Sequence, residues 1–578
     1  MRISNLHIKG FRNYVDESID LDEKTLIIGG NDVGKSNLLY ALRILFDPNL
    51  SRRDLELEDT DFCIYSNSDA IEITAKLEDI HEDYLISVLQ GAVKDGVAYV
   101  RYSLIKGEDY EILVGYDSEA LVSCDGRPYI RNLTVEYVGS GRDLSSFLKK
   151  QQSKLLDIAR DQRNEVQEKE DANAVEQIQS NLMKLNEDIN SLHYVANSLE
   201  VVNGEMSELS IGNEGYRAEL VAGNTDAGKL LNNLRLTYLR DDSQLVFGGD
   251  GRSNQLYFAT WIAEHKLTRR PEKAVVYVIE EPEAHLHPHQ QRRLAEYLSS
   301  VMDGQVFMTT HSPQIVERFQ KGRVLRLSSG GNGMTGSHAS GCSAEVDAAL
   351  TGMGYRLSVI SSEVFFSRGV LFVEGPSERI LYTALAQALG KDIDRLNISI
   401  LSVDGVGFEP YVRVCTELGI PYAIRTDNDV FKIKGKAEYR AAGVERLIGI
   451  VESYIKDEEL IDLIAAHRNG LIWPDNSKGS NIPQSAKDAV LALKAAFVDR
   501  GLFLSEHSDL EDDLVASSIA SQLIDFFERD EPQEVRKVMQ QRKAENMYSF
   551  IKSVPDLSQL ENSALAAPLD YIINQVVL

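Results

Sequence analysis

What this chain has little of narrows its class before any motif is read. Its 578 residues contain no stretch near the roughly 18 uninterrupted apolar residues of a membrane-crossing helix, so no membrane span is expected. The opening Met1-Arg2-Ile3-Ser4-Asn5-Leu6-His7-Ile8-Lys9 alternates like a strand and lacks the apolar core of a secretion signal. Cysteine is scarce. The four, Cys63, Cys124, Cys342 and Cys415, lie too far apart for metal-ligand spacing and fit core or surface thiols of a reducing cytoplasm. Positive charge is short too: 61 Lys and Arg face 89 Asp and Glu, a net charge of −28. That argues against a protein that simply coats nucleic acid, since such binders are basic. It does not exclude a nuclease, because clustered carboxylates reach phosphates through Mg²⁺ and basic side chains can gather in one groove. Tandem repeats are absent, and the length predicts two to four domains.

Against those absences stands a phosphate-binding loop, Gly29-Gly30-Asn31-Asp32-Val33-Gly34-Lys35-Ser36. Its glycines let backbone N–H groups wrap a phosphate without Cβ obstruction, Lys35 reaches the β- and γ-phosphates, and Ser36 binds Mg²⁺. The context fits: the apolar strand Leu26-Ile27-Ile28 precedes the loop, and a helical pattern from Asn37 follows. Far downstream, Val275 to Ile279 reads as a buried strand ending in Glu280 and Glu281. Neighbouring residues of a strand point to opposite faces, so Glu280 is expected in the Mg²⁺ shell and Glu281 beside the attacking water. The strand Gln305–Thr310 ends at His311, a place for a γ-phosphate sensor.

Between these halves, residues 143–200 lack Pro and Gly and are rich in Gln, Glu, Lys, Asn and Asp. Val175, Ile178, Leu182, Leu185, Ile189, Leu192, Ala196 and Leu199 recur at alternating spacings of three and four. That is a heptad seam on one long helix, expected as an inserted arm for self-association or as a helix packed on its own domain. The run Ser328–Gly336 reads as a flexible boundary.

A second acidic constellation follows. The apolar strand Gly369–Val373 ends at Glu374-Gly375, a glycine turn lies at Asp404-Gly405-Val406-Gly407, and Asp427-Asn428-Asp429 follows a strand-like stretch. D-x-D spacing sets both carboxylates on one side of an extended segment, able to share Mg²⁺. Glu378 follows Glu374 by four residues at a strand-to-helix turn and is a candidate accessory ligand. Asp509 and Glu511 supply a third cluster, and Lys543 lies beyond it. Lys432, Lys434 and Lys436, beside Asp429, read as ordinary surface lysines or as contributors to a basic groove.

The first set of motifs resembles the ABC-type ATPase heads of the RecF and SMC group, over about 1–142 and 205–326. Glu281-Pro282-Glu283-Ala284-His285-Leu286-His287-Pro288 resembles a Walker B strand running into a D-loop, and Phe247–Gln255 a degenerate signature with Gly249 and Gly251. Two departures, Glu280 in place of the usual Asp and a signature unlike Ser-Gly-Gly-Gln, imply slow hydrolysis or a nucleotide switch. In this group ATP is held between one head's loop and another's signature, which implies at least a homodimer. The C-terminal pattern resembles a Toprim domain. The order of head, helical insertion, head and Toprim resembles the OLD (overcoming lysogenization defect) family of nucleases, especially its Gabija antiphage-defence branch.

The expected fold class is therefore α/β: an ABC-type ATPase head interrupted by a helical dimerisation insertion, then a C-terminal Toprim α/β domain. The expected bounds are 1–142 and 205–345 for the head, 143–204 for the insertion and 362–578 for the Toprim domain with a helical tail. The resemblance implies ATP at Gly29, Asn31, Gly34, Lys35, Ser36, Asn37 and Glu280, with Gly249 and Gly251 supplied by a second copy. It carries metal roles onto Glu374, Glu378, Asp427, Asp429, Asp509 and Glu511, and a basic catalytic role onto Lys543. The implied activity is Mg²⁺- or Mn²⁺-dependent DNA endonuclease cleavage by two-metal hydrolysis, in antiphage defence and gated by ATP. Implied partners are DNA, further copies of the chain, and a UvrD-like helicase or a retron reverse transcriptase with its RNA. The rivals are a non-nucleolytic RecF-like ATPase of DNA repair and a retron-type OLD effector whose nuclease stays silent until a partner licenses it.

Overall fold

The computed structural model describes residues 1–66, 68–89, 91–140, 144–209, 217–220, 227, 231, 238–240, 243–245, 250–268, 273–300, 302–319, 322–329, 336–354, 358–405, 407–474 and 482–577. Its contacts form two compact units: Met1–Gly139 with Glu272–Glu283 and Pro288–Leu578, and Ser140–Pro271 with Ala284–His287. The insertion was expected at 143–204; residues 205–271 fall in the same unit as that stretch.

The first unit begins with a six-stranded antiparallel sheet, in the order Tyr14–Asp20, Arg2–Phe11, Ala70–Glu78, Ala98–Ile105, Glu111–Gly115 and Val122–Cys124. Ala98–Ile105 alternates buried and part-exposed residues, as a strand with one covered face does. A second six-stranded sheet runs Ser337–Gly341, Arg323–Ser329, Lys24–Gly29, Gln305–Thr309, Ala274–Glu280, Leu133–Val138. All neighbours in it are parallel except the edge strand Ser337–Gly341. Lys24–Gly29 is buried along its whole length, because a central parallel strand is covered on both faces; hence its unbroken apolar run. Of the run 328–336, read as a boundary, Ser328 and Ser329 end a strand that pairs antiparallel with Ser337–Gly341 within this sheet. Its residues 330–335 lie outside the described residues.

A third sheet is fully parallel, in the order Ile398–Ser402, Gly369–Val373, Tyr422–Thr426, Leu502–Leu504. Its first crossover is the helix Pro376–Ala388, with Pro at the first helical position, where its missing N–H has no partner to lose. A small antiparallel sheet of Val430–Lys432, Glu438–Ala441 and Ile472–Pro474 stands next to Asp429 in sequence. One buried arginine fastens the second sheet to the third. Arg326 Nη1 donates to Leu418 O and Gly419 O and its Nη2 to Ser367 O, each at 3.2 Å. Burial brings the Arg326 guanidinium down to about 10.

The second unit is largely helical: Leu144–Asp161, Glu165–Ser191, His193–Leu209 and Asp250–Thr268. Asn164 caps the longest helix, accepting from Val166 N at 3.1 Å and Gln167 N at 2.9 Å. The single long helix expected from the heptad seam is corrected here, because the chain is extended at Leu192 and the helix restarts at His193. Side chains that compete for backbone partners accompany the break. Asn190 Nδ2 bonds Asn186 O at 2.8 Å and Ser191 Oγ bonds Asp188 O at 2.7 Å. Along the seam Val175, Leu185 and Leu192 remain exposed.

Candidate nucleotide and acidic metal sites

The phosphate loop joins the buried strand Lys24–Gly29 to the helix Lys35–Phe46, which puts Gly34 at the helix start. Gly34 has φ +97, and a Cβ there would lie 2.2 Å from Asn13 Nδ2, so only glycine fits. Lys35 is buried and turned onto the loop, its Nζ donating to Gly29 O at 3.0 Å and Gly30 O at 2.6 Å. Burial lowers its ammonium, opposed by the carboxylates of Glu281, Asp32, Glu283 and Glu280. Asn31 is exposed at the loop, and Asn37 is committed to Asn13 and Arg12 by bonds of 2.7 and 2.8 Å.

Glu280 ends the strand Ala274–Glu280, buried, and its carboxylate accepts from Ser36 Oγ and from Tyr137 OH. Glu281 follows the strand at φ +43, and its Oε1 stands 3.4 Å from His311 Nε2. A third acid fixes that histidine. Glu283 Oε1 accepts from His311 N at 2.6 Å and from Thr310 Oγ1 at 2.8 Å, and burial raises its carboxyl. Burial and then the Lys35 charge lower His311, favouring neutral imidazole. Thus Lys35, Ser36, Glu280, Glu281 and His311 share one end of the parallel sheet, where α/β folds bind ligands. Gly249 lies outside the described residues. Gly251 opens the helix Asp250–Thr268, and a Cβ there would meet His285 O at 2.5 Å.

The acidic site is built the same way on the third sheet, at the carboxyl ends of its strands. Glu374 follows Gly369–Val373, Asp427 and Asp429 follow Tyr422–Thr426, and Asp509 and Glu511 follow Leu502–Leu504. One oxygen each of Glu374, Asp427 and Asp429 lie within 4.8 Å of one another. The glycine turn supports them, since Gly405 N donates to Glu374 O at 2.8 Å. Asp427 is pushed up to about 7 by burial and by the Glu374 charge, against the pull of Arg425. Asp429 is raised by burial and by Glu374. Glu378 is buried, and burial raises its carboxyl, helped by Glu511 and Glu374 and opposed by Arg425.

Asp509 and Glu511 stand outside the trio. Asp509 caps the helix Leu510–Val515 through Asp512 N at 2.9 Å and accepts from Gln540 Nε2 at 2.6 Å. Glu511 is fully buried, with Lys543 Nζ 2.8 Å from its Oε2. Burial lowers Lys543, but the carboxylates of Glu511, Asp427 and Asp509 together outweigh it and leave the ammonium raised.

Four residues that motif reading missed complete the picture. Arg425 is buried, donating to Asp513 Oδ2 at 3.1 Å and Ser505 Oγ at 3.0 Å. Arg446, from the helix Ala442–Ile450, donates to Glu374 Oε1 at 2.6 Å and to Asp429 Oδ2 at 3.3 Å. Tyr137 and Glu283 shape the nucleotide site. Only Glu283, in the Glu-Glu-Pro-Glu run, carried a sequence signal.

With both sites in view, the comparisons fall into place. Residues 1–202 and 134–316 match the AAA ATPase domain family, and residues 365–429 match the Toprim domain of overcoming lysogenization defect protein-like chains. The chain is 28% identical to Endonuclease GajA of Bacillus cereus, over 96% of each chain. It is 25% identical to the OLD nuclease of Thermus scotoductus, over 84% of this chain and 93% of that one. It is 21% identical to the Old nuclease of Escherichia phage P2, over 74% of this chain and 77% of that one. The chain belongs to the AAA ATPase domain family and carries an OLD-like Toprim domain.

Proposed function

We propose that this chain is an ATP-regulated, divalent-metal-dependent DNA endonuclease that cuts at the Toprim acid cluster. The observation that carries the reading is the convergence of Glu374, Asp427 and Asp429 at the carboxyl edge of a parallel sheet. This donor set fits a hard cation: three oxygen ligands, with Asp427 held up to about 7 by burial and a neighbouring carboxylate, are relieved by Mg²⁺ or Mn²⁺. In this reading the trio holds one ion, and Glu378, Asp509 and Glu511 serve a second. Bound there, the ions supply Lewis-acid stabilisation of the charge that develops during phosphodiester hydrolysis. Lys543, tied to Glu511, offsets negative charge on the scissile phosphate. Lys432, Lys434 and Lys436 follow Asp429 closely, Lys436 beside Glu438 at 3.9 Å, and exposed Phe431 before them adds an aromatic face for the DNA strand.

In the head, the loop Gly29–Lys35 cradles the ATP phosphates, and Ser36 and Glu280 hold the accompanying Mg²⁺. Glu281 orients the attacking water, and His311 reads the γ-phosphate from the position Glu283 gives it. Gly249 and Gly251 of a second copy close the site, so the active species is at least a dimer, with the exposed seam on Glu165–Ser191 as the self-association surface. The names of the relatives, Endonuclease GajA and OLD nuclease, support the cutting activity. The OLD resemblance adds antiphage defence as its setting.

The test is cleavage of plasmid and linear DNA with Mg²⁺ or Mn²⁺, with and without ATP. Wild type is expected to cut, Glu374→Ala to lose cutting, and Lys35→Ala to lose only the response to ATP. A Glu374→Ala protein that cuts like wild type sinks the reading.

A further inference from the structure

The acid trio is already engaged by cations from its own chain. Asp427 Oδ1 has buried Arg425 at 3.7 Å, while Arg446 spans the other two carboxylates. The oxygen at the centre of this arrangement is Glu374 Oε1. It accepts from Arg446 Nη1 at 2.6 Å, from Asp427 N at 2.9 Å and from Thr426 Oγ1. A carboxylate offers about four lone-pair directions over two oxygens, so three donors fill this oxygen. An ion that took Glu374 Oε1 and Asp429 Oδ2 as ligands would have to occupy the place of the Arg446 guanidinium.

Arg446 is held there by its helix. Ala442 N and Gly443 N donate to Asp429 O at 2.8 and 3.3 Å, so the helix starts on the D-x-D segment itself. Gly443 is required by that approach, since a Cβ there would lie 2.1 Å from Asp427 O. Arg446 follows one turn later on the same face, and its side chain is only 12% exposed. A long cationic side chain fixed this closely to two carboxylates of the trio offsets their charge.

Resting on the metal-dependent reading above, we propose that Arg446 is an internal competitor for the metal: it closes the acid trio in the ion-free protein and must swing out for a divalent ion to bind. The site then has two states, guanidinium-in and ion-in, and its apparent metal affinity is reduced by the fraction of molecules in the first. Cutting then requires a higher free divalent-ion concentration than the carboxylates alone would demand.

The test titrates Mn²⁺ into the full-length protein by calorimetry and by the loss of free-Mn²⁺ paramagnetic signal. Wild type, Arg446→Gln and Arg446→Lys are compared, with melting in chelator measured in parallel. Arg446→Gln is expected to bind Mn²⁺ about tenfold more tightly, as the competing state is removed, and to melt lower in chelator. Lysine keeps the charge but cannot bridge Glu374 and Asp429 with one ammonium, so Arg446→Lys is expected to tighten about threefold on the same ground. Affinity unchanged or weaker in a folded variant overturns the proposal and makes Arg446 a fixed brace. Should Arg446→Gln fail to fold, the lysine variant decides alone by the same criterion. Wild type that binds no Mn²⁺ overturns the metal-dependent reading itself, an outcome distinct from equal binding by wild type and variants.

Discussion

The head and the Toprim domain solve one problem in opposite ways. Each gathers several carboxylates at the carboxyl edge of a parallel sheet. In the head, the compensating cation comes from the motif itself: Lys35, seated by its own loop on Gly29 O and Gly30 O. In the Toprim domain Arg425 stands beside Asp427 in the motif, but the other cations come from afar, with Arg446 on a helix 17 residues past Asp429 and Lys543 near the end of the chain. A site whose charge balance is local is preformed by a short segment. A site balanced by distant side chains depends on the packing of a whole domain, and its charge can be rearranged by moving one of them.

The sharpest way to break that comparison is Glu374→Ala, which removes the carboxylate shared by Arg446, Thr426 and the backbone of Asp427. DNA cleavage is expected to fall on the order of 10³-fold, while nucleotide binding in the head stays as it was. Turnover assays and binding of a fluorescent ATP analogue separate the two. Next in size, Glu283→Gln loosens the hold on His311 and tests whether the head relies on positioning as well as on its motif. Misplacing a catalytic group costs up to about 100-fold, so ATP hydrolysis is expected to drop about 10- to 100-fold with nucleotide affinity kept. A variant with normal hydrolysis leaves Glu283 as a packing residue.

Two smaller effects sharpen the contrast outside the sites. Leu182→Glu with Leu185→Glu places like charges on the seam, and self-association measured by sedimentation is expected to weaken about tenfold. Lys434→Ala tests the lysines that follow Asp429: DNA affinity is expected to drop a few-fold, and the slope of log affinity against log salt to fall by about one. An unchanged slope takes Lys434 out of the phosphate contacts.

The same contrast explains what could be read from the sequence. The nucleotide loop was legible because its chemistry is contiguous, from Gly29 to Ser36, and because a strand buried on both faces writes an unbroken apolar run. Glu374 was legible because an apolar run stops at it, and Asp427 and Asp429 because of their D-x-D spacing after a strand-like stretch. Arg446 and Arg425 carried no such mark: nothing in a lone arginine on an amphipathic segment states which carboxylate it will meet across the fold. The heptad seam misled in one respect. Apolar spacing records which face is sticky, but the helix break at Leu192 is accompanied by polar side-chain bonds at Asn190 and Ser191 that the apolar pattern ignores.

Arg326 has a consequence for how such a protein can be rebuilt. Its guanidinium is 7% exposed and answers three main-chain carbonyls, Ser367, Leu418 and Gly419, contributed by the other domain. A foreign nuclease domain grafted after residue 345 would have to offer three carbonyls at the same points, or leave a charge stranded in a dry seam. The two enzymes in this chain are thus not interchangeable cassettes, and chimaeras should be cut at matched pairs that bring Arg326 and its carbonyls from the same parent.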